Sequence, residues 1–126
     1  MRLLERTRFE NSFSFVFSPR PHTGAALKLN GSAEWAEVPR PVAVERLERL
    51  QARQREITSA ALRGELGRVV EVLAEGRQEE TGTWFGRTPE NRAVHFDGES
   101  VPVGSIVKVR VGRAGHSSLS GARVPA

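Results

Sequence analysis

The sequence has no cysteine. That absence removes disulfides, thiolate zinc sites, cysteine nucleophiles and cysteine-held iron–sulfur clusters from the chemistry open to this chain. Lysine is nearly missing: of 19 basic residues only Lys28 and Lys108 are lysines. The histidines are His22, His95 and His116, with no His-x-x-x-His pair and no clustered carboxylates, so no metal-ligand spacing exists. There is no Gly-x-Ser-x-Gly turn and no glycine-rich loop of dinucleotide or P-loop spacing. Apolar runs stop after a handful of residues, where a membrane span needs about 20. Met1-Arg2-Leu3-Leu4-Glu5 meets charge at once and lacks the apolar core of a secretory signal. Nothing here specifies an enzyme by itself, and the expected location is the cytoplasm, away from membranes.

What remains is a soluble globular composition. The 126 residues are 38% hydrophobic and 27% charged, enough for one domain or a small domain with an appendage. The net charge is +4. An arginine bias suits phosphate and base contacts, because the guanidinium forks and stacks. It also arises in a GC-rich genome without any function.

The chain divides near residue 63. Phe13-Ser14-Phe15-Val16-Phe17-Ser18 alternates and reads as a strand with three phenylalanines on one face. Arg20 to Arg40 has no period and reads as a loop with at most a short turn. A helix follows from Pro41, with an apolar stripe through Ala43, Leu47, Leu50, Gln54, Ile57 and Ala61, ending near Arg63-Gly64. Then come short strands at Arg68–Ala74, Thr83–Thr88, Arg92–Phe96, Ser105–Val111 and Ser118–Val124. Glu75–Gly82 reads as a polar turn and Asp97-Gly98 as a hairpin turn. Five short strands predict a small antiparallel, OB-like β-barrel. The first strand has no partner sheet, which marks it as an exposed edge and an aggregation site. Removing residues 1 to 38 is expected to improve solubility.

The candidate chemistry is electrostatic and aromatic. Val107, Val109 and Val111 should face the core while Lys108 and Arg110 face out. Arg87, Arg92 and Arg113 stand on or beside strands, and one of Trp84 and Phe85 should point away from the core. Such a barrel can stack bases and bind phosphates. The opposing reading is a salt bridge from Arg87 to Glu90 or Asp97 at a strand end. Residues 63 to 126 carry 9 basic and 8 acidic side chains, so a basic face requires uneven placement. His95 reads as a surface-facing strand residue, and His116, Ser117, Ser118, Glu79 and Glu80 as solvated loop or turn.

Three segments carry a resemblance. Phe13 to Thr23, F-S-F-V-F-S-P-R-P-H-T, resembles the F-x-F-x-Y-S-P-R-P-G-T segment of the MiaB-type tRNA methylthiotransferases. Val72-Leu73-Ala74-Glu75-Gly76 is similar to that family's V-L-V-E-G, and Gly86 to Phe96 to its G-R-T-x-x-N-R-x-V-x-F. A related branch that acts on threonylcarbamoyl-adenosine shares the S-P-R-P form. His22 stands where the family has glycine, Gly24 where it has proline and Phe17 where it has tyrosine. The resemblance implies three parts: residues 1–38 as a remnant of a radical-SAM barrel end, 39–63 as a linker helix, and 64–126 as a TRAM domain, an RNA-binding barrel. It implies tRNA as partner, with Arg20 in a loop near the substrate. In the full family enzyme it implies S-adenosylmethionine and two 4Fe-4S clusters, for adding a methylthio group to an isopentenylated adenosine beside the anticodon. Without cysteine this chain holds neither cluster, so tRNA binding without catalysis is expected of it. A truncated, split or mis-started gene would explain that, with a separately encoded catalytic half as a further partner. A stand-alone TRAM protein, acting as an RNA chaperone or accessory subunit, is the alternative.

Overall fold

The computed structural model describes residues 1–31 and 34–125. It divides into two compact units, Met1–Gln54 and Arg55–Ala126. Helix α3, Arg40–Arg63, runs through the division. It starts one residue before Pro41, where a missing N–H costs nothing. It stops at Gly64, as its composition predicts.

In the first unit, α1 (Arg2–Thr7) is a short helix with no side-chain cap at its N-terminus, and no local sequence signal announces it. Arg8 ends it in the left-handed region, φ 52°, with its N–H on the Leu4 carbonyl at 2.8 Å. Arg53 grips Glu5 with two donors, at 2.6 and 2.9 Å. That guanidinium holds the Glu5 carboxyl below the usual carboxylate range. Gln54, the odd polar residue in the apolar stripe, is buried. Its amide donates to the Phe9 carbonyl at 2.8 Å and its carbonyl accepts from the Ser12 hydroxyl at 3.0 Å. The stripe thus uses glutamine to satisfy a backbone carbonyl beside it.

Two expectations are corrected in this unit, a strand at Phe13–Ser18 and a loop over Arg20–Arg40. Phe13–Ser18 has no partner sheet among the described residues, as expected, and without one it forms no β-strand. The period of two survives, but Ser12, Ser14 and Val16 are half-buried while Phe13 and Phe15 are 89% and 83% exposed. With no sheet to receive the phenylalanine face, it turns outward. The expected loop contains α2, Gly24–Gly31. Thr23 caps it: its hydroxyl accepts from the Ala26 N–H at 3.3 Å and donates to the Arg20 carbonyl at 2.7 Å. His22 precedes it at φ 63°, a conformation that suits the glycine of the family pattern better than histidine. Ser32 and Ala33 of the same stretch lie outside the described residues.

The second unit is a closed five-stranded barrel in the order β1-β2-β3-β5-β4. The strands are β1 (Val69–Arg77), β2 (Trp84–Arg87), β3 (Ala93–Asp97), β4 (Ile106–Ala114) and β5 (Ser118–Arg123). Alternation fills the interior with Val72, Ala74, Trp84, Val94, Phe96, Val107, Val109, Val111 and Leu119, joined by Leu62 from the last turn of α3 and Val101 from a loop. The valines and phenylalanine fall on the predicted side because each strand has one buried face.

The barrel is not wholly antiparallel. β3 and β5 pair in parallel, with Val94 opposite Leu119. Asp97-Gly98 therefore makes no hairpin, since β5 lies between β3 and β4. The polar turn is also shorter than expected: Glu75, Gly76 and Arg77 belong to β1, and the turn spans Gln78 to Thr83.

Candidate nucleic-acid interface

The β2–β3 connection is tied by several internal hydrogen bonds. Thr88 is buried; its hydroxyl accepts from the Arg92 N–H at 3.2 Å, and its own N–H donates to the Arg92 carbonyl at 3.0 Å. Asn91 sits in the left-handed region at φ 65°, its N–H on the Thr88 carbonyl at 2.9 Å. Glu90 accepts from its own amide and from the Thr88 hydroxyl, which keeps its carboxyl below the ordinary range. The Gly-Arg-Thr-x-x-Asn-Arg pattern is therefore, in the first place, a recipe for this turn.

Its two arginines have internal partners. Arg87 Nη1 donates to the carbonyl and the side-chain oxygen of Asn91, both at 3.3 Å, and its Nε lies 3.6 Å from Glu75. Glu75 reaches it because β1 bulges between Ala74 and Gly76. The salt bridge considered from sequence thus exists, but with Glu75 rather than Glu90 or Asp97. Half of the Arg87 side chain stays in solvent. Arg92 is mostly shielded and pairs with Glu65 at 3.1 Å.

The remaining cations named from the sequence for this barrel, Lys108, Arg110 and Arg113, lie on β4. Lys108 and Arg110 point outward, as their parity predicts, with Lys108 opposite Glu71 on β1. Arg110 reaches the Gly67 carbonyl at 3.4 Å. Arg113 is exposed, and its side chain makes no hydrogen bond or ion pair among the described residues. Strict alternation from Val111 would turn Arg113 inward. A bulge between Val111 and Arg113 adds Gly112 and returns Arg113 to the outer face, opposite Ser120.

The two aromatics divide sharply. Trp84 is 8% exposed in the core, which leaves it no face for a base. Phe85 is on the outer surface, half-buried, its ring lying across Gly76. Register then sets out a row across four strands: Phe85 opposite His95, His95 opposite Ser120, Ser120 opposite Arg113. A shallow groove of about 500 Å³ opens along it, lined by Thr83, His95, Asp97, Arg113, Ser120 and Ala122. No motif in the sequence marks Ser120 or the groove. The one available sign was Gly112, a glycine inside a strand pattern.

Arg20 lies in the other unit, exposed, just before the Thr23 cap. That unit has its own cavity of about 870 Å³, lined mainly by apolar groups including Phe17, Leu29, Trp35 and Val38. No described helix is long and apolar enough to cross a membrane.

Comparison with known proteins agrees with this geometry. The TRAM domain model matches residues 63–123. A tRNA-2-methylthio-N(6)-dimethylallyladenosine synthase of Anaeromyxobacter sp. is 62% identical over 123 residues, covering 96% of this chain and 27% of its own length. Proteins of the same name from Myxococcus xanthus and Erythrobacter litoralis are 49% and 37% identical, each with 26% of its length covered. The chain spans about a quarter of the length of these relatives. A five-stranded barrel, the tied Arg87–Arg92 turn and identity along nearly the whole chain together place it in the MiaB-type tRNA methylthiotransferase family, as the family's C-terminal, TRAM-bearing stretch.

Proposed function

We propose that this chain binds tRNA through the outer face of its barrel, as the RNA-holding region of a methylthiotransferase. The observation that carries the reading is the outward line of Lys108, Arg110 and Arg113 along β4. Three cations on successive outward positions give the uneven charge that a nearly balanced domain needs. Phe85 supplies a ring beside them, and the solvent edge of Arg87 extends the surface. Arg92 acts through the turn it braces. Arg20 is the candidate contact from the first unit.

The relatives' name points to a dimethylallylated adenosine as the site modified by the whole enzyme. The iron–sulfur clusters of that chemistry find no ligands here. Cysteine is absent, and no group of three histidines or carboxylates among the described residues could hold a metal. On this reading the chain contributes binding and orientation of tRNA, and the cluster chemistry belongs to cysteine-bearing segments of the whole enzyme. A stand-alone RNA-binding role has one observation in its favour: the barrel is a compact unit with its own core.

The test is tRNA affinity against salt. Micromolar binding that weakens steeply with salt is expected. Lys108→Ala, Arg110→Ala and Arg113→Ala together should reduce the slope of log K against log salt by about 2 to 3. Unchanged affinity and slope in that variant, or no wild-type binding at low salt, would overturn the proposal.

A further inference from the structure

We propose that the groove over β3, β5 and the β4 bulge seats one unpaired ribonucleotide, its phosphate on Arg113 and its sugar and base toward Asp97, His95 and Ser120. The inference rests on the RNA-binding reading above and assigns it a pocket.

Three features point there. First, the bulge at Gly112 exists at the cost of ladder hydrogen bonding, and its effect is to deliver Arg113 to the groove. Arg87, Arg92 and Arg110 each have a protein partner, whereas Arg113 has none among the described residues. Second, the floor is made of small residues, Gly112, Ser120, Gly121 and Ala122, which leaves a concavity where a barrel wall would otherwise bulge outward. Gly121 is obligatory, since a Cβ there would lie 2.0 Å from the Arg110 carbonyl oxygen. Third, the groove has two electrostatic ends. Arg113 stands opposite Ser120, and Asp97 opposite Ala122, two residues further along β5. Arg113 and Asp97 lie on opposite sides of β5, offset by about 7 Å along it.

A ligand must match both ends. A run of phosphates would gain at Arg113 and lose at Asp97. One nucleotide offers an anion to the first and hydrogen-bond donors to the second, through its 2′-hydroxyl or an exocyclic amino group. A carboxylate accepting from a 2′-hydroxyl favours RNA over DNA. The His95 ring lines the wall between them, a planar surface against which a base can lie.

The full 126-residue chain is titrated with a labelled single-stranded RNA decamer, the DNA of the same sequence, and tRNA. Ser120→Phe fills the groove from an outward strand position, and Arg113→Ala removes the phosphate contact. Each should weaken decamer binding about tenfold. Asp97→Asn should narrow the preference for RNA over DNA. Lys108→Ala, outside the groove, should weaken RNA and DNA equally. Adenosine monophosphate should shift the amide resonances of His95, Arg113, Ser120 and Ala122 in the wild type, a reading that holds whether or not Ser120→Phe folds. If the wild type binds tRNA while a folded Ser120→Phe and Arg113→Ala bind the decamer as tightly as wild type, the pocket is wrong and the general RNA reading stands. Monophosphate shifts elsewhere, or equal wild-type affinity for RNA and DNA, also overturn the pocket. Failure of the wild type to bind any RNA overturns both.

Discussion

Arg92 meets Glu65 at 3.1 Å with 15% and 17% of the two side chains exposed, so this ion pair is largely withdrawn from water. It joins the β2–β3 turn to the segment that follows α3. Arg68 is the second cation on the same carboxylate, at 3.3 Å.

Arg92→Ala leaves that carboxylate with Arg68 and opens the turn. It should destabilise the barrel by about 1–3 kcal/mol. Urea unfolding should show a lower midpoint with the same slope. A variant as stable as wild type, but weakened for tRNA, would make Arg92 a direct contact rather than a brace.

Two glycines of the barrel should respond in opposite ways to alanine. A Cβ at Gly86 would lie 2.0 Å from the Leu73 carbonyl oxygen and 2.8 Å from Val72 Cγ1. The β1 backbone cannot yield without losing its ladder, so Gly86→Ala should cost about 3 kcal/mol. At Gly112 a Cβ meets nothing within 4 Å. Gly112→Ala should change stability by less than about 1 kcal/mol. Thermal melts of the two variants, side by side, check the contrast.

The exposed phenylalanines should govern solution behaviour. Phe13→Ser with Phe15→Ser removes two rings that are almost wholly in water. Concentration-dependent sedimentation should diminish while the melting of the barrel stays the same. Unchanged self-association would show that this face is not the adhesive one.

Acid should release α1 before the barrel responds. Glu5 has a carboxyl below its ordinary range because of Arg53, so its pairing stabilises the fold above the unfolded carboxylate pKa. That contribution is lost as pH falls through the lower, folded value. Amide exchange in residues 2–8 should rise in that acidic window, and Glu5→Gln should remove the pH dependence.

The sequence shows the barrel walls more clearly than their edges. Val107, Val109 and Val111 alternate with Lys108 and Arg110, and a strand with one wet face makes that parity unambiguous. Arg113 breaks the count because one inserted residue inverts everything after it, and only the pairing partner reveals the insertion. Trp84 and Phe85 could be assigned to opposite faces but not to which face. Gly86 shares the buried face with Trp84, and a Cβ there would lie 2.0 Å from the Leu73 carbonyl oxygen. Asp97-Gly98 carries the local chemistry of a hairpin, yet the parallel β3–β5 pairing is a long-range matter no dipeptide encodes. Helix α2 has glycine at both ends and a weak apolar face; Thr23 was its one local signal. The family pattern contains one partner of Arg87, Asn91, while the carboxylates paired with Arg87 and Arg92, Glu75 and Glu65, lie outside the pattern's own turn.

The place of β5 sets an order of assembly. Without it, β3-β2-β1-β4 form an open strip whose two borders both await the same six residues, Ser118–Arg123. On a ribosome those residues emerge after every other strand. Until then Val94 and Phe96 at one border, and Val109 and Val111 at the other, have no Leu119 to close over them. The ring is closed only when β5 pairs with both borders. Arg113 and His95, carried on the two borders, flank one groove only once β5 lies between them, so the groove comes into being together with the closed ring.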